Sequence, residues 1–245
     1  MPRFGHVRGG RATLAATLLA ATAGLVLTPA PAQAATNGIT GQVTTLAGAG
    51  GMSCPQTGSA DRRVSFRPDG RQLKNTSAGS GTVTSEIDPT DVSRWSASAS
   101  STVRSARTAT TSSLAVTAAV RARITADLGP DGTGCRAGAL ASVVSKATVT
   151  VTRKGTLALT ASTTGGAYLV LDLSSASGDA HPVKIIGSLP VGYGARIAVR
   201  PGTYLLSFQV VGSADVDMET AATGSVAGTA KATISVKSGK GRVTA

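Results

Sequence analysis

The stretch 194–212, GARIAVRPGTYLLSFQVVG, decides the fold, because apolar residues occupy alternate positions on both sides of its central Pro201-Gly202. This period of two is the period of a pleated β-strand. Proline followed by glycine is typical of a type II turn, and unprimed turns of this kind splay the strands of a tight hairpin. The stretch therefore predicts two strands that are joined at residues 200–203 by a wide corner or by a crossover between two sheets.

The same alternation continues through the chain. Between residues 114 and 128 the even-numbered positions are apolar, and between 139 and 151 most of the odd-numbered positions are apolar. We predict that 114–128 and 139–152 form a long antiparallel pair. Arg153-Lys154-Gly155 predicts a three-residue hairpin into a strand at 156–162. Further strands are predicted at 39–46, 80–87, 168–173, 183–188, 195–200, 203–211 and 224–237.

Many short strands separated by Gly and Pro, without a long helix, indicate an all-β fold. We predict an antiparallel β-sandwich, jelly-roll-like, over residues 80–238. A weakly ordered segment at 35–79 is expected before it and a tail at 239–245 after it. Two domains that divide near 129–138 are the alternative. The motif Asp88-Pro89-Thr90-Asp91 has a helix-start pattern and predicts one or two helical turns through Trp95.

The first 34 residues have the pattern of a signal peptide. Three arginines precede an apolar run, which ends at the small-residue site Ala32-Gln33-Ala34. We therefore predict a secreted, extracellular protein without an integral membrane anchor. The leader holds three of the 24 Lys and Arg and none of the 12 Asp and Glu, so the remaining chain carries 21 minus 12, or +9.

A net charge of this size favours anionic surroundings, such as an acidic polysaccharide or a teichoic-type polymer. One run of basic residues stands out as a candidate patch: Arg62, Arg63, Arg67, Arg71 and Lys74. A solvated loop with a short edge strand is the simpler interpretation of this run. Nucleic acid is not expected as a partner, because basic residues do not alternate with aromatic ones.

Cys54 and Cys135 are the two cysteines of the chain. In an oxidising compartment an even pair usually forms a bridge, so a Cys54–Cys135 disulfide is predicted. It would attach the glycine-rich segment around Cys54 to the sheet. Two buried free thiols are the alternative.

Few aromatic side chains are available for stacking against a ligand. Tyr193, flanked by Gly192 and Gly194, has the pattern of an aromatic displayed on a loop. Trp95 is the second candidate ligand-binding aromatic, although a core position is the simpler interpretation. Tyr204 and Phe208 are assigned to the core by the alternation.

Candidates for metal binding and catalysis are sparse. Asp215, Asp217 and Glu219 would lie on one face of a strand and are a candidate calcium site, although a solvated strand face explains them equally well. No other cofactor is expected. His181 is the only histidine after the leader, and it lies in a loop by composition.

The sequence contains no Gly-x-Ser-x-Gly, His-Glu-x-x-His or phosphate-binding glycine motif. We therefore expect a non-enzymatic binding or structural module whose partner is a protein or a cell-envelope polysaccharide. A polysaccharide-binding module is the first alternative, and an enzyme on a jelly-roll scaffold is the second.

Overall fold

The computed structural model describes residues 38–238, apart from gaps at 53, 85–91, 109, 128–135, 179, 190–191 and 217–222. The predicted signal peptide and the predicted tail at 239–245 lie outside the described residues. Every regular element in the described part is a β-strand. The strands are β1 Gly38–Met52, β2 Cys54–Phe66, β3 Gln72–Thr84, β4 Val92–Arg107, β5 Thr111–Asp127, β6 Arg136–Val151, β7 Gly155–Gly165, β8 Tyr168–Ser175, β9 Val183–Gly187, β10 Tyr193–Val199, β11 Gly202–Val216 and β12 Thr223–Ser238.

The strands form two antiparallel sheets of six strands each, which confirms the predicted all-β antiparallel sandwich. Sheet A has the order β2-β1-β6-β11-β8-β9, and sheet B has the order β10-β7-β12-β5-β4-β3. Residues 35–245 cluster as one compact unit. The alternative of two domains that divide near 129–138 is therefore wrong.

The eight strands from β5 to β12 have the topology of a jelly roll. The chain is folded back at the β8–β9 turn, so that β8 pairs with β9, β7 with β10, β6 with β11 and β5 with β12. This doubled chain is then rolled, and its four pairs alternate between sheet A and sheet B. β1 and β2 extend sheet A beyond β6, while β3 and β4 extend sheet B beyond β5.

The rolled topology corrects two predicted pairings. β5 and β6 have the predicted positions, but they belong to different sheets and do not pair with each other. Arg153-Lys154-Gly155 is likewise no hairpin, since it connects β6 of sheet A to β7 of sheet B. Both predictions pair strands that are adjacent in the sequence. In the jelly roll, by contrast, each strand before the β8–β9 turn pairs with a strand after it.

The corner at 200–203 does cross between the sheets, as predicted, because β10 lies in sheet B and β11 in sheet A. Gly202 has a φ of +155°, far from the roughly +80° of a type II turn. The Tyr204 hydroxyl donates a hydrogen bond of 3.1 Å to the Arg200 carbonyl oxygen. This bond ties the first residues of β11 back to the connection and so stabilises the crossover.

Two further predictions for the N-terminal half are wrong. The segment 35–79, expected to be weakly ordered around one strand, contributes the β1–β2 hairpin and most of β3. The helical turns predicted through Trp95 are absent from residues 92–95, which begin β4, while 85–91 lie outside the described residues. The glycines of β3 explain why Trp95 fits in a strand here. A Cβ added at Gly79 would come within 2.9 Å of the Trp95 ring, and one added at Gly81 within 3.1 Å.

The core lies between the sheets and follows the alternation. The even-numbered residues of β5 from Leu114 to Ile124 are all at most 2% exposed, and odd-numbered β6 residues face them from sheet A. In β11, Leu206, Phe208 and Val210 are buried as predicted. The inward positions are therefore used for packing, and the two outward faces are where the chain meets its surroundings.

Candidate functional site

The strand register determines which side chains share the outward face of sheet B. Residues directly opposite one another in neighbouring antiparallel strands point to the same side of a sheet. Arg121 of β5 lies opposite Ser98 of β4 and Ala227 of β12, so all three face outward. Applying the same rule across sheet B gives one continuous face, from β10 at one edge to β3 at the other.

We call this outward side of sheet B the cationic face. One acidic residue, Asp127 at the end of β5, has an outward register position on it. Its exposed basic residues are eight: Lys74, Arg94, Arg104, Arg121, Arg123, Arg196, Lys231 and Lys237. Nearly all of its other described residues are Ser, Thr, Ala or Gly. Because these side chains are short, the face forms a level polar surface from which the long basic side chains project.

An open depression of about 530 Å³ lies at the β10 side of the cationic face. Tyr193 lines it together with Thr160, Ser162, Lys231 and Thr233. The Tyr193 side chain is 38% exposed, and it is the first residue of the edge strand β10. Of the two candidate ligand-binding aromatics, Tyr193 is thus the accessible one. Its register position at the end of the edge strand is opposite the buried Ala161, and hydroxyls and Lys231 line the same depression.

Trp95, the other candidate aromatic, is buried in the core. It is 4% exposed, points inward from β4 and packs over the glycines of β3. The prediction that Trp95 is a core side chain is confirmed, and it is not accessible as a stacking platform.

The outward side of sheet A has a different composition, and we call it the apolar face. Eight large apolar side chains lie at its outward positions: Leu46, Leu140, Val144, Tyr168, Val170, Ile186, Leu205 and Val211. Three of them, Tyr168, Ile186 and Leu205, are among the four most exposed large apolar side chains of the described part. The charges on this face are of both signs, with Asp61 and Asp172 beside Arg63, Lys146 and Lys184.

The five residues of the predicted basic patch are all exposed, but they are not on one face. Arg63 is outward on sheet A and Lys74 is outward on sheet B, while Arg67 and Arg71 lie in the β2–β3 connection. The Arg71 guanidinium Nε is 3.9 Å from an Asp69 carboxylate oxygen. The run therefore wraps around one side of the sandwich, and only Lys74 contributes to the cationic face.

His181 lies outside the strands and is accessible, as its composition predicted. Its Nδ1 lies 3.0 Å from Asp172 Oδ1, and the two side chains are 49% and 29% exposed. Asp172 is outward on β8 of sheet A, so this pair belongs to the apolar side of the molecule. The contact orients the imidazole on an open surface and is distant in the fold from the cationic face.

The candidate calcium site falls largely outside the described residues. Asp215 belongs to β11, whereas Asp217 and Glu219 lie in the undescribed stretch 217–222, so the site stays a prediction. Within the described part, no three His, Cys, Asp or Glu side chains come together in a way that could hold a metal ion.

The predicted disulfide also involves an undescribed residue, Cys135. Its sequence neighbour Arg136 begins β6 and lies opposite Met52 of β1, while Cys54 begins β2 opposite Gly51. The flanking positions of the two cysteines thus reach the same end of sheet A. This placement is consistent with the bridge, which stays a prediction.

The sequence alone does not reveal the cationic face as a unit, because its charges come from five strands, β3, β4, β5, β10 and β12. A partial signal was present in β5. Arg121 and Arg123 occupy the odd positions of the strand, opposite in parity to its core residues, which already places both on the outward side. Their proximity to Arg94 becomes visible only with the register of β4 against β5.

Comparison with known proteins finds no match: no family model, no curated protein and no solved structure matches this chain. Among the described residues, no helix is long and apolar enough to cross a membrane. The two outward faces are therefore the features of this protein that bear on its function.

Proposed function

We propose that this protein is a secreted, non-enzymatic binding module that holds a cell-surface or extracellular partner on the cationic face of sheet B. The observation that carries the proposal is the segregation of charge. Eight exposed cations share a face on which the described strands have one acidic position, Asp127 at the end of β5. Fields of one sign attract partners of the opposite sign and raise the rate of encounter, so the partner is expected to be anionic.

The shape of the cationic face supports an extended partner. Its Ser, Thr and Ala side chains make a level surface rather than an enclosed cleft, and six strands at about 4.8 Å spacing make it roughly 24 Å wide. Hydroxyl groups between the cations can donate hydrogen bonds to an anionic ligand. A polymer or a broad protein surface fits this face better than an isolated small molecule does.

The proposal is tested by a pull-down from the cell envelope and secretome of the producing organism, at low and at high salt. The bait is the mature chain, compared with a variant in which Arg94, Arg121, Arg123 and Lys231 are changed to Gln. The matched control changes four exposed cations outside the face, Arg63, Arg153, Lys154 and Lys184, to Gln. We expect a partner that is retained at low salt, released at high salt, lost with the first variant and kept by the control. A partner that both variants retain equally would place binding elsewhere and overturn the proposal.

A polysaccharide-binding module is a second candidate, and the exposure of Tyr193 favours it. An accessible aromatic ring beside hydroxyls and Lys231 is suited to a sugar that stacks on the ring and hydrogen-bonds along its edge. Changing Tyr193 to Ala should then lower retention on insoluble cell-wall polysaccharide at high salt, where charge attraction is screened. Tyr168→Ala is the matched control, because Tyr168 has similar exposure (43%) but lies on the apolar face. Equal retention of both variants would exclude Tyr193 as a binding residue.

A further inference from the structure

Three arginines make the densest part of the cationic face, and we call them the arginine row. Arg121 and Arg123 are two residues apart on β5, a step of about 7 Å along a strand. Arg94 of β4 pairs with Thr125, so it is the diagonal neighbour of Arg123 at about 7–8 Å. The row therefore presents three positive charges in sequence at a nearly constant step.

Like charges at neighbouring sheet positions repel each other and destabilise the folded state. One acidic position lies on the described strands of this face: Asp127, at the end of β5, is opposite Val92 and is a diagonal neighbour of Arg94, whereas Arg121 and Arg123 have none beside them. Short side chains flank these two arginines: Ser96 and Ser225 lie opposite Arg123, and Ser98 and Ala227 lie opposite Arg121. The three arginines are thus exposed and surrounded mainly by short side chains. Bound anions would stabilise this arrangement.

Resting on the proposed function, we propose that the arginine row binds a linear phosphodiester polymer of the cell envelope, such as a polyol phosphate. Its backbone would follow β5, with successive phosphates over Arg121, Arg123 and Arg94. Guanidinium groups bind phosphate oxygens through two parallel hydrogen bonds, and this geometry favours arginine over lysine. The flanking serine hydroxyls match the hydroxyl groups of a polyol.

The surroundings of the row favour such a polymer over nucleic acid. Proteins that bind single-stranded nucleic acid usually stack bases on aromatic side chains. The outward positions next to the row hold Ser, Thr, Ala, Val92 and Asp127, and Tyr193 lies across the sheet on the edge strand β10. Bases would therefore find no stacking partner near the three charges.

The test measures affinity for purified poly(glycerol phosphate) as a function of salt. For a single-stranded polyanion, each neutralised phosphate contributes about −0.7 to the slope of log K against log salt. Changing Arg94, Arg121 and Arg123 together to Gln should therefore reduce the slope by about 2 and weaken binding at low salt at least tenfold. The control changes Lys74, Arg196 and Lys237 to Gln, which removes the same charge from scattered positions of the same face. It should reduce the slope by much less than the row variant does, and thermal melting should show that both variants are folded.

The outcomes distinguish a failure of the arginine-row proposal from a failure of the proposed function. If the two variants lose affinity and salt dependence equally, the face acts only through its total charge. That result would overturn the arginine row as the binding site but leave the proposed function standing. A chain that retains an envelope partner but binds no poly(glycerol phosphate) also overturns the row alone, whereas loss of the envelope partner itself overturns the proposed function. Tighter binding of single-stranded DNA, or of polygalacturonate with the same number of charges, would assign the row to nucleic acid or to a uronate polymer instead.

Discussion

The two outward faces of this sandwich are built by the same alternation, and yet they differ in chemistry. On sheet B the outward positions carry eight exposed cations among Ser, Thr and Ala. On sheet A they carry large apolar side chains with a few charges of both signs. The inward positions of both sheets are mostly apolar and serve packing, so the difference between the faces is not a requirement of the core.

This difference indicates that the two faces make different contacts. A face that needed only to be soluble would mix both charge signs, because large fields of one sign repel themselves. Sheet B carries eight exposed cations against one acidic position, Asp127, and sheet A leaves Tyr168, Ile186 and Leu205 accessible to water. We therefore regard the two faces as two distinct contact surfaces on one scaffold.

The largest expected effect on the free energy of unfolding comes from the predicted Cys54–Cys135 disulfide at one end of sheet A. A Cys54–Cys135 bridge closes a loop of 81 residues (135 minus 54), which the chain-entropy treatment values at about 4.5 kcal/mol. Changing both cysteines to Ser should lower the free energy of unfolding of the secreted protein by up to about this amount. Mass spectrometry after alkylation without reduction provides the direct check. Two alkylated cysteines in the native protein would show that the bridge does not form.

The second prediction sharpens the contrast between the two sides of sheet A, using one strand. Phe208 points into the core and Leu205 points outward from the same β11. Phe208→Ala should cost about 3–5 kcal/mol of unfolding free energy, whereas Leu205→Ser should change it by less than about 0.5 kcal/mol. Chemical denaturation measures both values. A cost of several kcal/mol for Leu205→Ser would mean that the apolar face is covered in solution.

The smallest effect tests the charge of sheet B through stability alone. The Debye length is about 30 Å at 0.01 M salt and about 3 Å at 1 M, which is shorter than the step of about 7 Å in the arginine row. Raising the salt from 0.01 M to 1 M should therefore relieve repulsion within the row and raise the unfolding free energy by a few tenths of a kcal/mol. The double change of Arg121 and Arg123 to Gln should raise stability at low salt and flatten this salt dependence. Arg63→Gln on sheet A is the control and should leave the dependence as in the parent chain. A salt dependence that persists unchanged in the double variant would contradict repulsion within the row.

The period of two was sufficient to predict most strands and the direction in which their residues point. Leu114, Ile124 and Phe208 were assigned to the core from parity alone, and all three are buried. Parity does not specify which strand pairs with which. The proximity of β5 and β6 in the chain suggested a hairpin, whereas the jelly roll pairs β5 with β12, about a hundred residues away.

Edge strands were harder to recognise, because they bury little. In β2, Arg62 lies at an inward position opposite the buried Thr45 and is nevertheless exposed, so the apolar alternation is interrupted. In β3, Gly79 and Gly81 make room for Trp95 and remove the apolar signal of the strand. The arginine row could not be found for a different reason, since its members come from two segments that only the register places side by side.

The central positions of the last two strands have a consequence for the order of folding. β11 lies between β6 and β8, and β12 lies between β5 and β7, so each sheet is in two separate parts until its C-terminal strand arrives. A chain synthesised from its N-terminus must hold those parts with open edges, which readily pair with other chains. Formation of such distant contacts is intrinsically slow. We expect the two sheets to be completed only after β11 and β12 have been synthesised, and a chain truncated before Thr223 to aggregate rather than to persist as a smaller domain.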